Sequence, residues 1–564
     1  MIRQKTKFSE PTWLNQAPLP KSFRSIFKWG DKDKFKNPNS GFFRVIADEL
    51  GLSDADIWQP LNPGNKTIDD SGDKKNISAG DISVFKSIVG AENINSDTYS
   101  RLKYATGKSM EDVLNLREER IENIADLALH PKNRGDVEAI IKHCHKKKIA
   151  LHVYGGGSSV TQGLSCPKGG VTLVMNTHMN KVIEFNETNS TITVEPGIMG
   201  PAYEDMLNRA PEVFKAGGRY TGGHFPQSFE HSSVGGWVVT LGSGQASSYY
   251  GDACDIVISQ TWVTPTGIFE THDYPATATG PKLNDIMKGS EGCFGVLVSL
   301  TMKIFPFTPE TSRYFSFIFP CFQDAVCAAR KISQAGGGMP SVMRVSDPEE
   351  TDIAMKMYGI ANTLPDRFIK FKGFKPMSRC IMMGSTEGEK GFSKNLFRQI
   401  KKIAKSCKGF YLSSYPMKKW YAGRFSDPYM RDSLNDFGVL IDTLETSVTW
   451  DHIEDLYQGV RAFVKKRPNI ILLSHASHFY AQGTNLYFIS IAPMMNAGEF
   501  KAFQHGIIEK IIENHGSLSH HHGVGRLFAP FMEKHLGHKQ MSVLRALKKE
   551  FDPHNIMNHG ALGL

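Results

Sequence analysis

The sequence predicts an α+β protein of more than one domain, and three observations carry that prediction. The chain has 564 residues, whereas a single hydrophobic core stops growing at about 250–300. Helical and extended patterns succeed one another irregularly between residues 136 and 197, as a mixed sheet requires. After residue 310 the pattern shifts to longer strands and helices. Hydrophobic residues make up 40% and charged residues 22%, which excludes a disordered, collagen-like or coiled-coil chain. No apolar stretch is long enough to span a bilayer. The basic start, MIRQKTKFSEPTWLNQ, lacks the apolar centre of a secretory signal, and the final residues Ala561 to Leu564 are not a peroxisomal tripeptide. The expected location is the cytoplasm.

Taken in order, residues 1–105 are polar, Asn/Asp/Lys-rich and irregular, with one amphipathic stretch, FFRVIADELGL at 42–52; they read as an N-terminal extension. From Asp136 to Lys147, Val137, Ile140, Ile141 and Cys144 fall at helical spacing. A short apolar strand, 149–154, runs straight into YGGGSSV at 154–160. VTLVM at 171–175 is a further strand. VIEF at 182–185 and TITVEPG at 191–197 flank a polar turn and predict a hairpin. Beyond 310, Phe315–Phe319 predicts a strand, and 325–334, 392–406 and 450–465 predict helices of a second domain. The last segment, from about Ser517, ends in a helix over 541–551, and there is no internal repeat.

Lys+Arg number 66 against Asp+Glu 57, an excess too dilute for a nucleic-acid stripe but suited to anionic small molecules or the edge of an anionic membrane. The 8 cysteines are scattered without C-x-x-C spacing, so they read as reduced packing thiols, and no metal site is expected. The 52 glycines are clustered. In YGGGSSV, successive glycines followed by Ser158 and Ser159 suit either a backbone cradle for an anion or a tight turn. G-x-G-x-x-G fails at Val160 and no Walker lysine follows. Two more clusters, GHFPQSFEHSSVGGWVVTLGSG at 223–244 and KGSEGCFGVL at 288–297, make plain turns a poor explanation. Contacts spread over several loops suit a long polyanionic cofactor, and FAD suits them better than NAD or ATP.

The order YGGGSSV, EPG, the 223–244 cluster and GSEGCFGV resembles the flavoprotein family of vanillyl-alcohol oxidase and para-cresol methylhydroxylase. Within it, SFEHSSVGGWVVT followed by YYGDACDIVISQTWVTPTG is similar to the alkyldihydroxyacetonephosphate synthases, which make ether lipids. The likeness continues through ETSVTWD at 445–451, LSHHHGVGR at 518–526 and FDPHNIMN at 551–558. The resemblance implies a two-subdomain FAD-binding domain at 106–310, an α+β substrate (cap) domain at 311–515, and a C-terminal segment, 516–564, completing the active site. It implies that Val153, Tyr154, Gly155, Gly156, Gly157, Ser158 and Ser159 hold the pyrophosphate. Gln227, Ser228, Phe229, Glu230, His231, Ser232 and Ser233, with Thr240, Leu241, Gly242 and Ser243, would line the flavin and ribityl chain. Glu291, Gly292, Cys293, Phe294, Gly295, Val296 and Leu297 would close the other side. The synthases have arginine where Leu241 stands and threonine-leucine where Cys293 and Phe294 stand. The glycine loop has no histidine of the kind that tethers covalent flavin, so noncovalent FAD is expected.

Three adjacent histidines, His520, His521 and His522, cannot all face one metal from a regular strand or helix, and by themselves they read as a polar loop. The resemblance instead sets them at the flavin edge, where imidazole can donate to a carboxylate or move a proton. Tyr487, in the apolar strand TNLYFISIAP, reads from periodicity as a core residue; the resemblance makes it the proton-transfer group. Arg431 and Arg344 are ordinary by themselves. They match an arginine that binds substrate phosphate and another needed for activity. The implied reaction exchanges the acyl chain of acyl-dihydroxyacetone phosphate for a long-chain fatty alcohol without net redox change, with flavin as a covalent trap. Such substrates imply an apolar tunnel and peripheral membrane contact, although the sequence shows no clear amphipathic anchor; a homodimer is compatible with this reading. The alternatives are a flavin dehydrogenase or oxidase for a D-lactate- or glycolate-type 2-hydroxy acid, and a protein in which flavin is only structural.

Overall fold

The structure, a computed structural model, describes residues 11, 13–53, 60–70 and 75–564; the basic N-terminal run through Glu10 lies outside them. The described residues form two compact units, one comprising 19–27, 64–307 and 518–564, the other 11–18, 28–63 and 308–517.

The first unit contains two larger sheets and a two-stranded one that pairs Tyr220–Thr221 with Phe305–Pro306. One has four strands in the order Ile94–Asn95, Leu127–Leu129, Val171–Val174, Leu151–Tyr154. Val171–Val174 runs parallel to both of its neighbours, and Ile94–Asn95 pairs antiparallel at the edge. Parallel pairing demands a crossover, and the helix Arg134–Lys147 supplies it between Leu127–Leu129 and Leu151–Tyr154. Asn133 caps that helix by accepting from Asp136 N–H, and Lys148 ends it at φ 56°. Val137, Ile140, Ile141 and Cys144, the stripe anticipated from spacing, are buried against Leu127, Leu151 and Val171. The other sheet is antiparallel, in the order Val182–Asn186, Thr191–Val194, Val296–Lys303, Val257–Thr264, Gly267–Glu270. Its first two strands are the anticipated hairpin. Within residues that read as irregular, the structure adds helices Ala79–Val89 and Thr98–Lys103. Phe85 and Val89 of the former join the same core as Val137.

The second unit is built on one seven-stranded sheet, in the order Phe410–Tyr411, Arg313–Phe319, Cys380–Thr386, Val342–Ser346, Ile471–Phe479, Gly483–Pro493, Val439–Thr449, with every pairing antiparallel. Along the last three strands of that order the register sets Ile441, Ile491 and Ile471 side by side, then Thr443, Ile489 and Leu473, then Glu445, Tyr487 and His475. Because strand side chains alternate, these rows share one face that passes from apolar to polar. Helix Ser40–Leu50, capped by Asn39 and ended by Gly51 at φ 67°, covers the apolar end with Phe42, Phe43, Ile46 and Leu50.

One short helix of this unit buries a charge beside an apolar residue. In Leu364–Phe371 the stripe Leu364, Phe368, Phe371 faces outward, 79%, 50% and 85% exposed, while Asp366 is fully buried and Ile369 packs with Ile318 and Phe374. Asp366 accepts from the Arg379 guanidinium at 2.5 Å and from Asn362 N–H at 2.7 Å and pairs with Lys370 at 2.8 Å; buried Arg379 also binds Asp352 at 2.9 Å. Burial pushes the Asp366 carboxyl up, but Lys370, the Asn362 N–H and Arg379 outweigh it and hold it at about 2. A depressed carboxyl stabilises the fold above its unfolded-state pKa and loses that contribution as pH falls through the folded value. Asp366→Asn should therefore lower unfolding free energy at neutral pH by roughly 2–3 kcal/mol. Urea titrations should show that gap closing as pH drops to about 2; a gap independent of pH would contradict this assignment.

Candidate functional site

The strand Leu151–Tyr154 ends at an edge of the parallel sheet and hands the chain to Gly155, Gly156 and Gly157. A Cβ on Gly155 would overlap the Ser233 hydroxyl, and one on Gly156 would meet the carbonyl of His231 and the Cα of Ser232. Gly157 turns at φ 76°. Two backbones thus touch here, which only glycine allows. From Gly155 to Ser159 no backbone N–H donates to a protein acceptor among the described residues. A plain turn would close its own bonds; a row of open N–H groups is an anion cradle.

The facing segment carries helix Val234–Val239, capped by Ser233, whose hydroxyl accepts from Gly236 N–H at 3.2 Å. Gly235 lets it pack directly on Pro196, and Gly235 N–H donates to the Pro196 carbonyl at 2.8 Å. Trp237 donates to the Ser232 hydroxyl at 2.7 Å, Thr240 donates to the Gly236 carbonyl at 2.8 Å, and Ser243 bonds Asp252. Leu241 adopts φ 53° with its side chain exposed. Sequence reasoning missed His224. It is buried beside Trp237, ring centroids 4.7 Å apart, with neither ring nitrogen bonded to a protein group, and burial lowers its pKa to about 4.

The third segment is held by the C-terminus. Glu291 accepts from Val524 and Gly525 N–H at 2.5 and 2.7 Å. Burial pushes its carboxyl up to about 7 against those two bonds and Arg526. Arg526 donates to Asn558 Oδ1 at 2.9 Å and to the carbonyls of Gln162 and His559 at 3.1 and 2.7 Å. The Asn558 amide donates to the Glu291 carbonyl at 2.6 Å. Buried Lys548 donates to the carbonyls of Cys293 and Met557 at 2.8 and 2.6 Å and pairs with Asp552 at 2.8 Å. The FDPHNIMN motif is therefore a buckle that joins the glycine loop to the 291 loop.

Between these segments lies a cleft that opens to solvent, lined in part by Val153, Gly155, Ser159, Ser233, Thr240, Glu291, Gly292, Gly295, Val296 and Leu297. Thr161, Pro196, Gly235, Gly236, Val239 and Trp262 line it as well; all but Thr161 lie in the motifs quoted above without having been singled out as site residues. Tyr154 packs edge-on against Tyr104, Phe229 packs with Trp237, and Cys293 and Phe294 are buried toward Asn558, Ala561 and Phe551. The open N–H row, the buried Ser290 hydroxyl with no protein partner and the glycine-lined walls fit an FAD with its pyrophosphate on Gly155–Ser159. In the same unit His520 and His521 meet Nδ1 to Nδ1 at 3.0 Å, so one donates and the other accepts, and His522 N–H donates to the Ser519 hydroxyl at 3.0 Å.

The remaining predicted residues belong to the seven-stranded unit. Tyr487 is half-buried between Glu445 and His475 in the strand register. Burial and Glu445 push its phenol well above its usual pKa, and Arg344 pulls the other way. Arg344 pairs with Glu350 and donates to His475. Arg431 lies beside Asp432 at 3.5 Å and over the Trp29 ring at 5.2 Å.

A family profile described as FAD binding domain matches residues 125–272, and one described as FAD linked oxidases, C-terminal domain, matches 308–562. An alkyldihydroxyacetonephosphate synthase of Dictyostelium discoideum is 30% identical over 486 residues, 83% of this chain and 78% of that one. The synthase of Caenorhabditis elegans is 30% identical over 480 residues, 81% of this chain and 79% of that one. A solved alkyldihydroxyacetonephosphate synthase structure superposes with a TM-score of 0.80 at 26% identity, covering 95% of this chain and 99% of the other.

Removing one partner of a buried ion pair strands the other charge. Lys548→Met should therefore cost about 3 kcal/mol of stability and loosen the 291 loop. Denaturant unfolding of the purified protein, together with its FAD content, measures this; wild-type values for both would show that the buckle is dispensable.

Proposed function

The chain belongs to the alkyldihydroxyacetonephosphate synthase family, and from that premise we propose that it exchanges the acyl chain of acyl-dihydroxyacetone phosphate for a long-chain fatty alcohol in ether-lipid synthesis. FAD is the cofactor, and when bound it supplies an electrophilic ring for covalent catalysis without net oxidation. The observation that carries the reading is the polar row at the end of an otherwise apolar sheet face, Glu445, Tyr487 and His475. A tyrosine held protonated in such a row has a strongly basic conjugate form, suited to moving the proton at C1 of the dihydroxyacetone unit. Arg431, held over Trp29, anchors the substrate phosphate, and Arg344 supports Tyr487. The His520–His522 loop stabilises the departing carboxylate or activates the alcohol, and the His520–His521 contact, with one donor and one acceptor, supports proton handling there. The flavin is held noncovalently by the backbone loops.

The long alkyl chains favour peripheral contact of a cytoplasmic protein with a membrane face. No helix among the described residues is long and apolar enough to cross a membrane. The outward apolar stripe of the helix Leu364–Phe371 supports this contact. Leu364, Phe368 and Phe371 project outward among Arg367, Lys370, Lys372 and Lys375, the composition of a surface that inserts shallowly into an anionic bilayer.

Purified protein should incorporate labelled fatty alcohol into acyl-dihydroxyacetone phosphate. Tyr487→Phe should keep its flavin and lose exchange by at least ~100-fold. Bleaching of the flavin by an added 2-hydroxy acid, with no alcohol incorporation, would replace this reading with a dehydrogenase. Cosedimentation with anionic vesicles should fall about tenfold in a Leu364→Glu, Phe371→Glu double variant. Unchanged partitioning would remove this helix from that contact.

A further inference from the structure

His475 is absorbed by neither the flavin loops nor the residues that sequence reasoning singled out. It lies directly opposite Tyr487 in the strand register, and the two rings stack with centroids 4.5 Å apart and planes 21° from parallel. Its Nδ1 is 3.1 Å from the Arg344 guanidinium and 3.3 Å from Glu350, which Arg344 also binds. A guanidinium never accepts a hydrogen bond, so toward Arg344 the Nδ1 accepts with the ring proton on Nε2, whereas toward the Glu350 carboxylate the same atom donates. Burial first, then Arg344, lowers the pKa of this imidazole, with Glu350 and Asp427 opposing them, so the ring is neutral at physiological pH. Arg344 pairs with Ser477 in the register, two residue pairs along the sheet from His475 and Tyr487.

We propose that His475 is a positioning residue for Tyr487: its imidazole braces the phenol ring and tethers Arg344 beside it, so that a cation faces the oxygen when the proton leaves. This rests on the reading of Tyr487 as the proton-transfer group. In this unit Glu445 and Arg344 bear on the phenol, Glu350 and Asp427 bear on His475, and the His478 ring is 6.4 Å from that of Tyr487. Glu445 disfavours the phenolate and Arg344 favours it. Without His475, Arg344 is held by Glu350 alone, and any drift away from the phenol raises the pH at which the phenolate forms.

The test measures kcat, KM and pH dependence of alcohol exchange in the full-length, FAD-loaded protein. His475→Phe keeps a stacking ring without an acceptor, and His475→Asn keeps an acceptor near the Nδ1 position without the ring. His475→Ala removes both, and the first two variants preserve enough volume to stand in for it should it fail to fold. All should retain FAD and a near-normal KM. His475→Ala should lose about tenfold or more in kcat. The alkaline limb of kcat should move upward by roughly one pH unit in His475→Phe and His475→Ala and return in His475→Asn. Wild-type kcat and an unmoved limb in His475→Phe and His475→Ala would overturn the proposal. Exchange retained by Tyr487→Phe would instead overturn the reading beneath it, so the two failures are distinguishable.

Discussion

Gly155 and Gly156 lie so close to the 231–233 segment that no side chain fits between them, and the cofactor half of the protein depends on that contact. It leaves the N–H groups of the loop with nothing in the protein to bond, which is unfavourable until an anion arrives. It also obliges the loop to leave a strand whose parallel neighbour, Val171–Val174, is buried on both faces, so that the cradle rests on a rigid base. The other wall, the 291 loop, is secured from the C-terminus through Asn558, Arg526 and Lys548. A dinucleotide site assembled from backbone in this way tolerates wide sequence variation in its side chains. Leu241, Cys293 and Phe294 illustrate this: the first is exposed and the other two pack inward, away from the cleft.

The seven-stranded unit solves a different problem. A β-sheet sets side chains at defined distances through its register. One face carries both its own apolar packing, under Phe42, Phe43 and Ile46, and the polar row of Glu445, Tyr487 and His475. Opposite charges flank the tyrosine, Glu445 holding its proton and Arg344 loosening it. That balance is set by packing rather than by the tyrosine itself.

The helix Leu364–Phe371 shows the same dependence on distant partners. Its apolar residues fall at ordinary helical spacing and would, by pattern, face the core. Buried ion pairs of Asp366 and Asp352 with Arg379 instead share the inward face with Ile369, and Leu364, Phe368 and Phe371 are left in solvent.

The sequence by itself determined the α+β class, the helix over 134–147, the hairpin over 182–194, the glycine loops and, through its motifs, the flavin family. Each of these is a local property, written in periodicity, turn chemistry or the need for a residue without a Cβ. Tertiary structure alone decided the strand at Ile94–Asn95, the C-terminal buckle, the inward face of helix Leu364–Phe371 and the company that Tyr487 keeps. Lys548 reaches the carbonyl of Cys293 across 255 residues, and His475 reaches Arg344 across 131. No periodicity encodes contacts so distant along the chain, because burial and charge are fixed only once the chain has closed on itself.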